Sequence, residues 1–112
     1  MMAVYVSNIV VEQGFDFDAS FQLEDSRTNS PLVLTSASTE AQLRKYYGSS
    51  TSVSFASSVT EPNNGLVKIS LTASQTVNIK PGRYVFDLKI TNDGKEFKAV
   101  EGAVLVRGGV TR

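Results

Sequence analysis

The stretch that most constrains the fold runs from residue 80 to residue 88. A Pro81-Gly82 turn precedes Tyr84, and a bulky apolar residue, Phe86, follows two positions later. Because side chains alternate between the two faces of a strand, Tyr84 and Phe86 share one face. This spacing is typical of a tyrosine corner, where a strand enters a β-sandwich. The sequence therefore predicts an all-β fold in which the Tyr84 hydroxyl bonds to backbone in the 75–79 connection.

The clearest alternation lies between residues 15 and 24. Its apolar members are Phe15, Phe17, Ala19, Phe21 and Leu23, and polar residues stand between them. A period of two is typical of a half-buried strand. Further strand-like segments cover residues 4–11, 53–59, 67–71, 84–90 and 96–106, and the first of these is expected to lie at an edge. The predicted core includes Phe17, Phe21, Leu43, Ile69, Leu71, Tyr84, Phe86 and Leu88.

Residues 38–47 fit two structures, because Ala41 and Leu43 alternate with polar residues while 39–45 could also begin a helix. We favour the strand, since a short lone helix is marginal in water. Asp87, on the outer face of the 84–90 strand, is expected to pair with a cation of a neighbouring strand such as Arg44.

Turn signals separate the strand-like segments. Asn92-Asp93-Gly94 predicts a tight hairpin, residues 72–75 predict a single capped helical turn, and a break in alternation near Glu101-Gly102 predicts a bulge. The pattern indicates one domain over residues 1–112, built as an immunoglobulin-like β-sandwich of about seven antiparallel strands.

Composition excludes several classes of function. The 112 residues include 11 basic and 11 acidic side chains, so no field attracts nucleic acid or an anionic membrane. The chain has no Cys and no His, which removes disulfides, zinc sites and histidine-based catalysis. We see no signal peptide and no membrane-spanning segment. We expect no enzymatic activity, no catalytic residue, no metal and no cofactor.

Two groups of polar or aromatic residues were weighed as sites. Asp16 and Asp18 share a strand face and could serve glycoside hydrolysis or, with Glu24 and Asp25, calcium binding, but a solvated strand face explains them more simply. The Tyr46-Tyr47 pair beside a glycine is a candidate platform for stacking a carbohydrate.

The candidate protein interface consists of β-branched residues near both ends of the chain. The segment 4–11 lacks the charges and prolines that blunt an edge strand. Its candidate contact residues, together with those of the C-terminal strand, are Val4, Val6, Val10, Val104, Val106 and Val110.

The whole pattern resembles an immunoglobulin-like module of tailed-phage virion proteins, of the type found at the front of baseplate upper proteins and as stand-alone virion proteins. The matching segments, in order, are 13–17, 31–35, 41–44, 65–69, 71–76, 82–88, 102–106 and 110–112. Ser36 departs from the pattern, since that family often has glycine there.

The resemblance implies a non-enzymatic structural protein of the phage particle, assembled in the bacterial cytoplasm and placed in the tail or baseplate, or in the head or neck. Its implied partners are other virion proteins and further copies of itself. The alternative function is a carbohydrate- or surface-binding adhesion module.

Overall fold

The computed structural model describes residues 5–24 and 30–110, and these form an all-β fold, as predicted. The strands in chain order are β1 Tyr5–Val6, β2 Ile9–Glu12, β3 Phe17–Gln22, β4 Ser38–Arg44, β5 Val53–Glu61, β6 Leu66–Leu71, β7 Gly82–Asn92 and β8 Lys95–Arg107. A 3-10 turn at Pro62–Asn64 joins β5 to β6, and a short helix, α1 (Ala73–Thr76), lies between β6 and β7.

The strands form one hydrogen-bonded path in the order β1-β8-β7-β4-β5-β6-β3, and β2 also pairs with β8. The pairing of β1 and β2 with β8 is parallel and all other pairings are antiparallel, so the predicted all-antiparallel arrangement was wrong. The predicted first strand is also two strands, interrupted at Ser7 and Asn8.

The sheet bends at β5, which changes partner along its length. Residues 53–55 pair with β4, and residues from Ala56 onward pair with β6. A strand that passes from one sheet to another makes a corner between them. The bend brings β3 over β7, where the rings of Phe21 and Phe86 lie 6.4 Å apart.

The core lies inside this bend and is close to the predicted one. Phe55 connects its aromatic side chains, with ring centroids 6.1 Å from Phe17 and 6.2 Å from Phe86. Of the predicted core residues, Leu43, Ile69, Leu71, Phe86 and Leu88 are buried, and Phe17, Phe21 and Tyr84 are partly buried against them. Phe15 is exposed, because β3 begins only at Phe17.

Several local predictions are confirmed. Residues 38–44 form a strand, and Asp93 adopts a positive φ of 53° in the two-residue turn between β7 and β8. Thr72 caps α1 in a capping box: its side chain accepts from the backbone of Gln75, and the Gln75 side chain accepts from the backbone of Thr72.

The predicted bulge at Glu101-Gly102 was misplaced. The register of β7 against β8 shifts between Leu88 and Lys89, which face Val100 and Lys98, so Ala99 is the extra residue. Gly102 is needed for another reason: a Cβ there would lie 1.8 Å from the backbone oxygen of Ser7. The crossing from β1 to β2 therefore passes directly over a position that only glycine can occupy.

Candidate functional site

The tyrosine corner is present at the start of β7. The Tyr84 hydroxyl donates a 2.7 Å hydrogen bond to the Lys80 backbone oxygen, one residue beyond the predicted 75–79 range. The Lys45 Nζ lies 4.7 Å from the centroid of the Tyr84 ring, a cation–π arrangement. Gly82 has a φ of 149°, and a Cβ there would lie 3.1 Å from the same Nζ. The corner residues Gly82, Tyr84 and Phe86 thus build structure at this end of the sheet.

The β1–β2 edge is exposed, as the sequence predicted. Val6 is 75% exposed and Val10 is 47% exposed. Val10 is the register partner of Leu105 on β8, so the two exposed apolar side chains lie side by side on one face. Within residues 5–24 and 30–110, β1 and β2 have no strand partner other than β8.

Other members of the predicted interface lie elsewhere. Val104 and Val106 are 0% and 1% exposed, because the alternation of β8 turns them into the core and turns Leu105 outward. Strand β8 is also an interior strand, between β7 and the β1–β2 edge, so that part of the interface prediction was wrong. Val110 is exposed beyond the end of β8, and Val4 lies outside the described residues.

A polar groove runs along the outer face of β4, β7 and β8, and we call it the β4–β7–β8 groove. It consists of two adjoining depressions that share Gln42 and Asp87. The first, of about 250 Å³, is lined by Glu40, Gln42, Asp87, Lys89, Glu96, Phe97 and Lys98. The second, of about 220 Å³, is lined by Gln42, Arg44, Tyr47, Val85, Phe86 and Asp87.

Charges in the groove are paired with one another. Lys89 Nζ lies 3.7 Å from Glu96 Oε1, and Lys98 Nζ lies 4.0 Å from Asp87 Oδ2 and 3.2 Å from Glu101 Oε1. The hydrogen bond to Glu101 is the main reason that the pKa of Lys98 is raised above its ordinary value, and Glu101, Asp87 and Tyr47 add to this electrostatically. The groove is therefore polar without a dominant charge.

Asp87 does lie close to a cation of a neighbouring strand, as predicted, but that cation is Lys98 of β8 and not Arg44. In the register of β4 against β7, Gln42 faces Asp87 and Arg44 faces Val85. The Arg44 guanidinium instead donates to the backbone oxygen of Ser49 and to Gln42 Oε1, the latter at 3.0 Å. Arg44 thereby links the β4–β5 loop to the groove and directs the carbonyl of Gln42 toward itself.

The two tyrosines of the predicted platform lie in different surroundings. Tyr46 is 62% exposed and Tyr47 is 69% exposed, so both face solvent. Only Tyr47 lines the groove. Two neighbouring residues of similar exposure therefore differ in what they can contact.

Among the acidic residues considered for a catalytic or calcium site, Asp16 makes a structural contact. Asp16 Oδ1 accepts a 2.7 Å hydrogen bond from the backbone N–H of Ala73, at the start of α1. The buried Thr76 hydroxyl adds a second link by donating to the Phe15 backbone oxygen at 2.8 Å. Asp25 lies outside the described residues.

Residues 5–24 and 30–110 contain neither a cluster of metal ligands nor a membrane-spanning helix. These residues bring no three His, Cys, Asp or Glu side chains together in a group that could hold a metal. They also include no helix that is long and apolar enough to cross a membrane.

No protein-family model matches the chain, and no curated protein does. Solved structures do match. InlP of Listeria monocytogenes is 14% identical with a TM-score of 0.53, over 90% of this chain and 26% of that protein. A family 123 glycoside hydrolase from Clostridium perfringens, studied for glycolipid glycan hydrolysis, is 14% identical with a TM-score of 0.53, over 96% and 24%. The chain thus spans about a quarter of each protein, and the likeness concerns the fold alone.

Sequence reasoning missed most of the groove. Gln42, Lys89 and Lys98 were recognised only as polar members of alternating strands, and no local motif marks them. Lys89 and Lys98 meet through the pairing of β7 with β8, and the signal that could have found the rest is the pairing of β4 with β7, which places Gln42 next to Asp87. That pairing joins segments about 45 residues apart, and alternation alone does not specify it.

Proposed function

We propose that this chain is an immunoglobulin-like β-sandwich module that acts without catalysis, as a structural protein of a tailed-phage particle. The sandwich assignment is supported by the corner between Tyr84 and Lys80 and by the bend at β5. The proposal that the chain belongs to a phage particle, with the tail or baseplate as the preferred location, rests on the sequence resemblance. The mode of action is protein–protein contact, and the observation that carries it is the β1–β2 edge.

The backbone of this edge is available for pairing. The N–H of Gln13 donates to the Arg107 oxygen at 2.8 Å, so Val11 and Ile9, which alternate with it, also direct their backbone groups toward β8. Val10 then directs its N–H and C=O groups away from the sheet, and so does the N–H of Glu12, whereas the Glu12 C=O already accepts a 3.2 Å hydrogen bond from the Phe15 N–H. Free backbone groups on an exposed strand are a template for a strand from another chain.

The side chains of the edge favour a specific partner strand. Val10 and Leu105 offer a small apolar surface, and Glu12 next to them forms an ion pair with Arg107. In sheet extension, backbone hydrogen bonds supply affinity and alternate side chains set the register. The partner is a second copy of this chain or another virion protein.

The test is sedimentation velocity on the purified chain at increasing concentration. We expect wild type to self-associate, and we expect Val6→Lys with Val10→Lys to shift the protein to monomer while its melting temperature changes little. Ser20→Lys with Gln22→Lys, on the exposed face of β3 at the other end of the strand path, is the matched control and should associate like wild type.

The phage setting needs its own experiment. Mass spectrometry of purified virions should detect the chain, and a particle reconstruction should place another strand against β2. A strictly monomeric wild type, together with a particle map in which β1 and β2 contact only water, would contradict the proposal.

The second candidate function is a carbohydrate- or surface-binding module. The observation in its favour is that Tyr47 faces solvent at the wall of a polar groove. A Tyr47 side chain that was buried in the core, or that packed against another part of the chain, could not have contacted a ligand. The two candidates use different surfaces of the molecule, so each can be tested while the other is left intact.

A further inference from the structure

We propose that the β4–β7–β8 groove binds a neutral oligosaccharide, with the Tyr47 ring stacking on a sugar face and Gln42 and Asp87 bonding to its hydroxyl groups. This deepens the second candidate function and is independent of the β1–β2 edge. Three properties of the groove support it: its charge balance, the fixed orientation of its polar groups and the exposure of one aromatic ring.

The balance of positive and negative side chains in the groove favours an uncharged ligand. The groove has three cationic side chains, Arg44, Lys89 and Lys98, and three anionic ones, Glu40, Asp87 and Glu96. Lys89 pairs with Glu96, and Lys98 pairs with Asp87 at 4.0 Å and, at 3.2 Å, with Glu101, which lies beside the groove. A strongly anionic or cationic ligand would meet no net attraction there. A polyhydroxylated neutral ligand would find both hydrogen-bond donors and acceptors.

The polar groups at the junction of the two depressions are positioned before any ligand arrives. Arg44 bonds to the Ser49 backbone oxygen and to Gln42 Oε1, so the Gln42 carbonyl is occupied and its NH₂ group remains a donor. Gln42 faces Asp87 across the β4–β7 pairing, and the Asp87 carboxylate is an acceptor. A donor and an acceptor at adjacent positions suit neighbouring hydroxyls of a sugar, and little ordering is needed on binding.

Tyr47 supplies the apolar part of the recognition. Its ring is mostly exposed and lines the second depression, next to Gln42 and Asp87. Sugars have apolar C–H faces, and an exposed tyrosine presents a rigid aromatic surface together with a polar hydroxyl. Because the depressions adjoin, a linear oligosaccharide can occupy both.

The test is a titration of the full ¹⁵N-labelled chain, followed by amide chemical shifts. The probes are cellohexaose, maltohexaose and tetra-N-acetylchitotetraose, and a heparin oligosaccharide of similar length is the charged comparison. We expect at least one neutral probe to give saturable shifts confined to β4, β7, β8 and the 45–49 loop. The heparin oligosaccharide should give none at the same ionic strength.

The matched pair of variants is Tyr47→Ala and Tyr46→Ala. Both residues are exposed and adjacent, so both variants should keep the wild-type spectrum outside the 45–49 loop. Tyr47→Ala should weaken binding roughly tenfold or more, equivalent to about 1.4 kcal/mol. Tyr46→Ala should bind like wild type.

Three outcomes overturn the inference: no neutral probe binds, the two tyrosine variants behave alike, or heparin binds in preference to the neutral probes. None of them affects the edge proposal, because sedimentation of the Val6 and Val10 variant reports on a different surface. If sedimentation shows no self-association, the result expected from the sugar titration stays the same.

Discussion

The two faces of β7 show how one strand serves two purposes. Its inward side chains, Phe86, Leu88 and Ile90, are at most 2% exposed and lie in the core. Its outward side chains, including Asp87 and Lys89, are half-buried and line the β4–β7–β8 groove. The inward face requires apolar volume, whereas the outward face requires particular chemical groups at particular positions.

This difference separates stability from binding. Removal of a buried side chain loses its transfer free energy and leaves a cavity. The outward ion pairs, such as Lys98 with Asp87, are partly exposed and long, and pairs of this kind contribute little to stability. Substitutions on the two faces of β7 should therefore have opposite consequences for folding and for recognition.

Phe86→Ala should have the largest effect on stability. The ring contacts Phe21 and Phe55 at the centre of the aromatic cluster, and its truncation should lower the free energy of unfolding by roughly 3–5 kcal/mol. Urea denaturation would measure this. A loss below about 1 kcal/mol, the typical mutational mean, would show that the inward face of β7 is not the centre of the core.

Asp16→Ala tests whether an outward polar residue can matter for stability when it has a structural partner. Its carboxylate caps the Ala73 N–H, and loss of a cap costs about 0.5–2 kcal/mol. Asp18→Ala is the matched control, since Asp18 is exposed two residues further along, in β3, and no bond from it to the described residues is seen. It should change stability by less than about 0.5 kcal/mol. Equal effects of the two variants, measured by thermal denaturation, would argue against the cap.

Tyr84→Phe should have a smaller effect at the corner. The substitution keeps the ring under Lys45 and removes only the hydroxyl that bonds to Lys80. We expect a loss of about 1 kcal/mol or less, because a single hydrogen bond contributes about that much net and this one is exposed. An unchanged chemical denaturation curve would count against a stabilising role for the corner bond.

Asp87→Asn should have the smallest effect on folding. It keeps the shape of the side chain but removes the charge that faces Lys98 at 4.0 Å, so the free energy of unfolding should change by less than about 1 kcal/mol. The same variant should weaken binding of the neutral oligosaccharide. A large loss of stability with unchanged binding would show that Asp87 serves folding and not recognition, contrary to the roles assigned to the two faces of β7.

The accuracy of the sequence predictions depended on how local each feature was. The β4 strand, the Asp93-Gly94 turn and the Thr72 cap were predicted correctly, because their causes lie within a few residues of chain. The parallel pairing of the first strands was not predicted, since alternation gives a face but no partner or direction.

The errors at the candidate sites have the same origin. The interface prediction treated Val104 and Val106 as surface residues, but the alternation of β8 turns both into the core, and β1 and β2 pair with the other edge of that strand. Asp87 pairs with Lys98 instead of the suggested Arg44, because the actual register places Gln42 opposite Asp87. Neither outcome can be derived from one strand alone.

The sequence by itself determined which side chains of β3, β4, β6 and β7 enter the core, because burial of apolar area is the dominant favourable term and its period of two is visible in these strands. It also determined the absence of His and Cys chemistry. Tertiary structure decided which polar side chains meet. Tyr47, Gln42 and Asp87 come together only through the β4–β7 register and the fold of the β4–β5 loop. Register depends on contacts between distant segments, and its free energy is shared among many residues, so no short motif records it.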